Sequence, residues 1–97
     1  MPYSFTTDVP ANAEMYSKIR ASLPADAPAG LIAHIVQVTD GGLRYIDVWD
    51  TQKQWDTFRD TTLLPVVKEV LAGYGIEHTD DAVNLTEIEV IDTWLAA

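Results

Sequence analysis

Residues 30–49 (GLIAHIVQVTDGGLRYIDVW) most constrain the fold, because they predict two apolar strands joined by a tight Asp-Gly turn. With Asp40 and Gly41 as a two-residue loop, strand pairing sets His34 opposite Asp47. Directly opposed side chains have Cβ atoms about 4.5–5.5 Å apart, close enough for an imidazole to hydrogen-bond a carboxylate. We expect a type I′ turn, which needs positive φ at both loop residues. The segment therefore predicts a titratable pair in the middle of an apolar hairpin.

The turn leaves two other registers open. A loop of Gly41 and Gly42 would set His34 opposite Trp49, with Asp47 diagonal to the imidazole but on the same face. A three-residue loop would move Asp47 to the opposite face, because side chains alternate with a period of two. In the first register, one face carries Ile32, His34, Val36, Val38, Leu43, Tyr45, Asp47 and Trp49, and the other carries Leu31, Ala33, Ile35, Gln37, Arg44, Ile46 and Val48. Apolar walls with a few converging polar groups are typical of a small-molecule pocket.

Hydrophobic periodicity predicts two helices and two more strands around this hairpin. We expect a strand over residues 2–7, a helix over 12–22 capped by Asn12, hairpin strands near 31–38 and 43–50, a helix opening at Thr51, and a last strand over 83–94. Pro65 should kink or interrupt the second helix, because proline lacks an N–H donor. The order βαββαβ is the ferredoxin-like arrangement, an α+β fold with helices on one face of an antiparallel sheet. A second copy of the sheet is the simplest cover for the other face, so we expect a homodimer.

Composition excludes several classes of function. The chain has 97 residues, of which 47% are hydrophobic, and this predicts a single domain over residues 1–97. Six basic and fifteen acidic residues give a net charge of −9, which argues against nucleic acid and anionic membrane surfaces as partners. The absence of cysteine excludes disulfides, thiolate metal sites and a cysteine nucleophile. The sequence contains neither a long apolar run nor a leader pattern, so we expect a cytoplasmic protein.

The run GLIAHIVQVTDGGLRYIDVWDTQKQWDTFRDTTLLPVVKEV resembles the antibiotic biosynthesis monooxygenase-like proteins of the dimeric α+β barrel superfamily, closest to uncharacterised actinobacterial-type members. The shared features are a G-L-x-x-H strand, a D-G-G turn, an I-D-V-W strand and a second helix that contains aromatic residues. The resemblance covers nearly the whole chain and implies a dimeric α+β barrel. The superfamily includes cofactor-independent quinol and anthrone oxygenases, haem-degrading enzymes, polyketide cyclases and members with no known reaction. Haem degradation is disfavoured here, because no histidine lies on the second helix to complete the Asn–Trp–His constellation of that branch.

His34 and Asp47 are the candidate catalytic residues. His34 would act as a general base, and Asp47 would fix its tautomer and stabilise the imidazolium. Such a pair could abstract a phenol or β-diketone proton, giving a carbanion that reacts with oxygen or closes a ring. The alternative is a structural pair at an interface, in which each partner satisfies the other. No nucleophilic serine motif accompanies the pair, so acyl-transfer hydrolysis is disfavoured.

Four aromatic residues are candidate substrate-binding walls, or else core fillers: Tyr45, Trp49, Trp55 and Phe58. Arg59 could orient an anionic substrate, but its neighbours Asp56 and Asp60 favour a solvated surface charge. His78 lies in an acidic loop whose spacing matches no metal-ligand pattern, so we expect no metal site. Residues 94–95 could cross to a partner subunit or cap the edge of the sheet.

The leading hypothesis is a cofactor-independent, monooxygenase-like enzyme that acts on a small aromatic or polyketide-type molecule by proton abstraction. One alternative is a non-catalytic small-molecule-binding or accessory dimer, in which His34 and Asp47 are structural. The other is a cyclase or isomerase that uses the same acid–base pair without oxygen. All three are homodimers with a small hydrophobic or aromatic ligand, and none requires a metal or an organic cofactor.

Overall fold

A computed structural model describes residues 2–76 and 85–95 of the chain. The elements follow one another as β1 (Tyr3–Val9), α1 (Ala13–Ser22), β2 (Leu31–Thr39), β3 (Gly42–Trp49), α2 (Gln52–Phe58), a π-helical segment (Arg59–Leu63), α3 (Leu64–Gly73) and β4 (Leu85–Ile88). The strands form a four-stranded sheet in the order β2-β3-β1-β4, with antiparallel neighbours throughout. This α+β architecture is the predicted class and is compatible with a ferredoxin-like fold. No helix within the described ranges is long and apolar enough to cross a membrane.

The hairpin register is confirmed. Thr39 pairs with Gly42 and His34 pairs with Asp47. The expected type I′ turn is wrong, however, since neither Asp40 nor Gly41 has a positive φ. The unusual backbone conformation lies one residue later, at Gly42, which has φ 152°. The carbonyl of Val9 in β1 approaches Gly42 so closely that there is no room for a side chain.

A β-bulge at the start of β2 changes which residues face the core. Leu31 pairs with Trp49 and Ala33 pairs with Val48, so that Ile32 is the extra residue of the bulge. The prediction that Leu31 and Trp49 lie on opposite faces is therefore wrong. An extra residue shifts the alternation of side chains by one position, and Leu31 packs against the core beside Trp49.

The last strand is shorter than predicted. Strand β4 ends at Ile88, which pairs with Ser4, and residues 89–95 form no regular structure. Strand β1 begins at Tyr3, so almost no neighbouring backbone is left to pair with a longer β4. The predicted residues 83 and 84 lie outside the described part of the chain.

Helix α2, the π-helical segment and α3 run without a break, and Pro65 explains the change in hydrogen bonding between them. The Leu64 N–H donates to the carbonyl of Arg59, five residues earlier, and Pro65 occupies the first turn of α3. Inside a continuous helix, proline has no N–H for the i→i−4 ladder and its ring clashes with the carbonyl four residues earlier, so the hydrogen bonding changes around it. The predicted interruption thus takes the form of a π bulge. One half of the predicted capping box is present, since the Thr51 hydroxyl accepts the Gln54 N–H at 3.2 Å. The Gln54 side chain accepts from the Thr51 hydroxyl at 3.0 Å.

Both helical units cover the same face of the sheet. The centre of the core is an aromatic cluster of Phe5, Trp49 and Trp55, which are 1%, 1% and 5% exposed. The Trp55 ring of α2 lies 4.8 Å from the Phe5 ring and 5.5 Å from the Trp49 ring, measured between centroids. On that face, Tyr16 of α1 contacts His34 and Tyr45. The predicted hairpin pair therefore lies between the sheet and α1, next to the aromatic core.

Candidate functional site

Four side chains form a continuous hydrogen-bonded chain from α1 to the core, and we call them the site network: Tyr16, His34, Asp47 and Trp49. The Tyr16 hydroxyl lies 2.9 Å from His34 Nε2, and His34 Nδ1 lies 2.6 Å from Asp47 Oδ1. The Trp49 indole N–H donates to the other oxygen of Asp47 at 3.1 Å. Strands β2 and β3 supply the central pair, while the amphipathic face of α1 brings Tyr16 onto it.

The partners of His34 define its tautomer. The carboxylate of Asp47 only accepts hydrogen bonds, so Nδ1 carries the proton and donates it to Oδ1. In the neutral imidazole Nε2 is then an acceptor, and it accepts the Tyr16 O–H. Each donor in the network has an acceptor, which is the condition for placing polar groups next to an apolar core.

The network is closed at one end and open at the other. Trp49 is 1% exposed and Asp47 is 5% exposed, so solvent does not reach the indole and carboxylate end. His34 lies on β2, one of the two edge strands of the sheet, and its side chain is 29% exposed. A ligand can therefore contact the network only at the end where His34 and Tyr16 meet.

Two tyrosines flank the imidazole at this open end. The Tyr45 ring lies 5.6 Å from the His34 ring and 5.7 Å from the Tyr16 ring. Burial raises the pKa of Tyr45 to about 12, and the neighbouring Tyr16 and Asp47 act in the same direction. Burial also raises the pKa of Tyr16, with a further contribution from the Asp47 charge. Both phenols therefore remain protonated hydrogen-bond donors at neutral pH.

The predicted aromatic residues divide into two groups. Tyr45 lies beside His34, whereas Trp49, Trp55 and Phe58 belong to the aromatic core. Trp49 takes part in the network through its indole N–H, a role that the sequence did not suggest. The buried Trp55 Nε1 has no hydrogen-bond partner among the described residues, so this indole has a donor available. A substrate-binding role for these four residues stays a prediction.

Tyr16 is the member of the network that sequence reasoning missed as a site residue. Its spacing with Met15 and Ile19 marked it only as part of the apolar face of the first helix. The available signal was a hydroxyl at a sheet-facing position, which needs a polar partner when it is packed against a strand. Which partner it would find depends on how α1 docks, and the sequence pattern does not contain that information.

The remaining candidates lie away from the network. Arg59 pairs with Asp60 at 3.0 Å and with Asp56 at 3.3 Å, in keeping with its interpretation as a surface charge. His78 lies outside the described residues. Within the described ranges, no group of three or more histidine, aspartate or glutamate side chains could hold a metal ion.

Two grooves on the helical side do not include the network. One, of about 460 Å³, lies between α1 and α3 and is lined by Lys18, Ala21, Ser22, Glu69, Val70, Gly73 and Tyr74. The other, of about 320 Å³, lies beside α2 and the π-helical segment and is lined by Pro28, Ala29, Lys53, Gln54, Thr57, Phe58, Thr61 and Thr62. A ligand that contacts His34 would therefore bind at the β2 edge rather than in either groove.

Comparison with known proteins identified no relative of this chain. No protein-family model matches the chain, and neither a curated protein nor a solved structure matches it.

Proposed function

We propose that this protein is a cofactor-independent enzyme of the antibiotic biosynthesis monooxygenase-like group, which abstracts a proton from a small aromatic or polyketide-type molecule in the cytoplasm. The observation that supports the proposal is the 2.6 Å hydrogen bond between His34 Nδ1 and Asp47 Oδ1, combined with an imidazole that is partly open to solvent. A carboxylate that orients an imidazole and stabilises its protonated form is a common arrangement for a general base.

The proposed reaction begins with transfer of a substrate proton to His34, and Asp47 balances the resulting imidazolium charge. The carbanion left behind is electron-rich and gives its electrons to molecular oxygen. With anthrone as substrate, the C10 methylene loses two hydrogens and gains one oxygen atom, and the second oxygen atom leaves as water. The substrate is the reductant and oxygen the oxidant, so the balance requires no metal and no organic cofactor.

An oxygen electrode with anthrone as the probe tests this proposal. We expect the protein to accelerate oxygen uptake and anthraquinone formation, and we expect His34→Gln and Asp47→Asn to lower kcat by about 100-fold or more, since a general base contributes 10²–10⁴-fold. Gln37→Ala is the matched control, because Gln37 is exposed on the opposite face of the same strand. Uptake that is equal in His34→Gln and the unmodified protein would contradict the proposal.

A non-catalytic ligand-binding dimer is the second candidate, and one observation favours it. Both ring nitrogens of His34 already have hydrogen-bond partners, as expected of a structural network. In that case His34→Gln lowers stability, and no variant changes oxygen uptake. Product formed without oxygen uptake would instead identify a cyclase or isomerase.

We also propose that the chain forms a homodimer, as in a dimeric α+β barrel. The segment after β4 exposes three large apolar side chains: Ile91, Trp94 and Leu95 are 91%, 94% and 56% exposed. Ile35, which alternates with His34 and so lies on the face away from the helices, is 55% exposed. Large apolar side chains exposed close together in the chain, as Ile91, Trp94 and Leu95 are, are typical of an interaction surface, and a second copy of the chain would cover them.

Sedimentation equilibrium tests the dimer. We expect the unmodified protein to sediment as a dimer and the double variant Ile91→Ser/Trp94→Ser to dissociate, with a dimer Kd at least about 30-fold higher, because a buried tryptophan anchor contributes 2 kcal/mol or more. Lys53→Ser, an exposed substitution on α2, should leave the Kd unchanged. A monomer at every concentration would overturn the dimer, and an unchanged Kd in the double variant would exclude this segment from the interface.

A further inference from the structure

Neither ring nitrogen of His34 is free to receive a ligand directly. Nδ1 donates to Asp47, and Nε2 accepts the Tyr16 O–H at 2.9 Å. A ligand that approaches the open end must therefore either displace the Tyr16 hydroxyl or act through it. The phenol oxygen of Tyr16 still has acceptor capacity, because a hydroxyl that donates its one hydrogen retains two lone pairs. A ligand that approaches Nε2 of the imidazole therefore meets the Tyr16 hydroxyl first.

The proton balance at this end produces two converging donors. A weak acid can transfer its O–H proton directly to His34 Nε2. Alternatively, Tyr16 gives its own hydroxyl proton to Nε2 and takes up the proton of the ligand. By either route Nε2 becomes an N–H donor. In both cases Tyr16 keeps one hydrogen, which it no longer needs to donate to His34 and can donate to the new anion. No electron moves, and the neutral acid and neutral imidazole become an anion and an imidazolium. Hydrogen bonds from such donors to an anion are about twice as strong as neutral ones.

The charges around the site favour an anion that forms inside it. Asp47 lies on the far side of the imidazole and compensates its positive charge. Arg20 lies one helical turn after Tyr16 on α1, and its positive charge acts on the Tyr16 oxygen. The whole chain, by contrast, has a net charge of −9, which repels a ligand that is already ionised in solution. A ligand that arrives neutral and ionises on binding avoids this repulsion.

We propose that Tyr16 and His34 form a two-donor site that takes up small neutral phenols or enols and holds them as their anions, with the ligand's proton on His34 and Asp47 as the counter-ion. The inference rests on the proposed function, because it uses the same pair, but it concerns binding and ionisation rather than turnover. Tyr16 is then the residue that contacts the ligand oxygen atom that loses its proton. The flat ring of Tyr45 beside His34 offers an aromatic ligand a surface for stacking.

The test uses 4-nitrophenol, whose phenolate absorbs visible light where the neutral phenol does not. At a pH below the pKa of the free phenol, we expect the bound probe to show the phenolate spectrum with no proton released to a dissolved indicator. Tyr16→Phe should lower the ratio of bound phenolate to bound phenol by about 10- to 100-fold, the range expected for one hydrogen bond to a charged group. His34→Gln should leave the bound probe neutral.

Two controls separate ionisation from simple packing. Tyr74→Phe removes a hydroxyl from a residue at the end of α3, where it contacts Lys18 rather than the site network, and should change nothing. The non-ionisable 4-nitroanisole should bind equally to the unmodified protein and to Tyr16→Phe. A bound probe that stays neutral, a Tyr16→Phe variant that ionises it as well as the unmodified protein, or a protein that binds neither form overturns the inference.

The outcome is distinct from that of the oxygen experiment. Ionisation of the probe without any oxygen uptake from anthrone supports this site and overturns the oxygenase proposal. Turnover of anthrone that depends on His34, together with a probe that stays neutral, supports the oxygenase and overturns the two-donor site.

Discussion

Replacing Trp49 with alanine is expected to lower the free energy of unfolding by about 3–5 kcal/mol, the usual cost of removing a large aromatic side chain from a core. Trp49 is 1% exposed, and its ring lies 5.5 Å from the rings of both Trp55 and Phe58. The substitution also removes the donor to Asp47 Oδ2, so that a buried carboxylate oxygen loses its partner. Urea denaturation followed by circular dichroism measures the change.

Two comparisons separate the contributions to this effect. Trp49→Phe keeps most of the packing but removes the indole N–H, so we expect a smaller loss of about 1–3 kcal/mol. Trp94→Ala changes the same residue type at a position that is 94% exposed. It should alter stability only through the proposed self-association, and its effect should therefore vary with protein concentration. Equal and concentration-independent losses for Trp49→Ala and Trp94→Ala would contradict the assignment of Trp49 to the core.

Gly42→Ala is expected to destabilise the fold by about 2–4 kcal/mol, although it adds only one methyl group. A Cβ at this position would lie 2.1 Å from the carbonyl oxygen of Val9, and the backbone has φ 152°. Holding a side chain in a strained backbone conformation costs of order 1–3 kcal/mol, and displacement of the β1 carbonyl adds to that cost. The midpoint of thermal unfolding gives the measurement.

The neighbouring glycine provides the matched control. A Cβ on Gly41 would meet no atom within 4 Å, and its φ is not positive. Gly41→Ala should therefore change stability by no more than about 0.5 kcal/mol, as is usual for surface positions. If Gly42→Ala and Gly41→Ala lower stability by the same amount, the close approach of the Val9 carbonyl is not the reason that position 42 needs glycine.

The hairpin illustrates how far local patterns reach. The Asp-Gly turn and the period of two favoured the register that sets His34 opposite Asp47, because both signals operate within twenty consecutive residues, although the turn left two other registers open. The same reasoning failed at Leu31, since a bulge depends on how the strand bends over its neighbours rather than on the residue itself. It also failed for the turn type, because position 42 needs glycine on account of the Val9 carbonyl of β1, some thirty residues earlier in the chain.

The sequence by itself determined the order of helices and strands, the helix cap at Thr51 and the interruption at Pro65, and it favoured the observed hairpin register over two others. Each of these follows from residues close together in the chain, where backbone geometry and periodicity leave few choices. Only the tertiary structure decided that Tyr16 meets His34, that Trp49 donates to Asp47 and that the network opens at the β2 edge. Those contacts depend on how α1 docks on the sheet and on side-chain rotamers in a packed core, which are properties of the assembled fold rather than of any one segment.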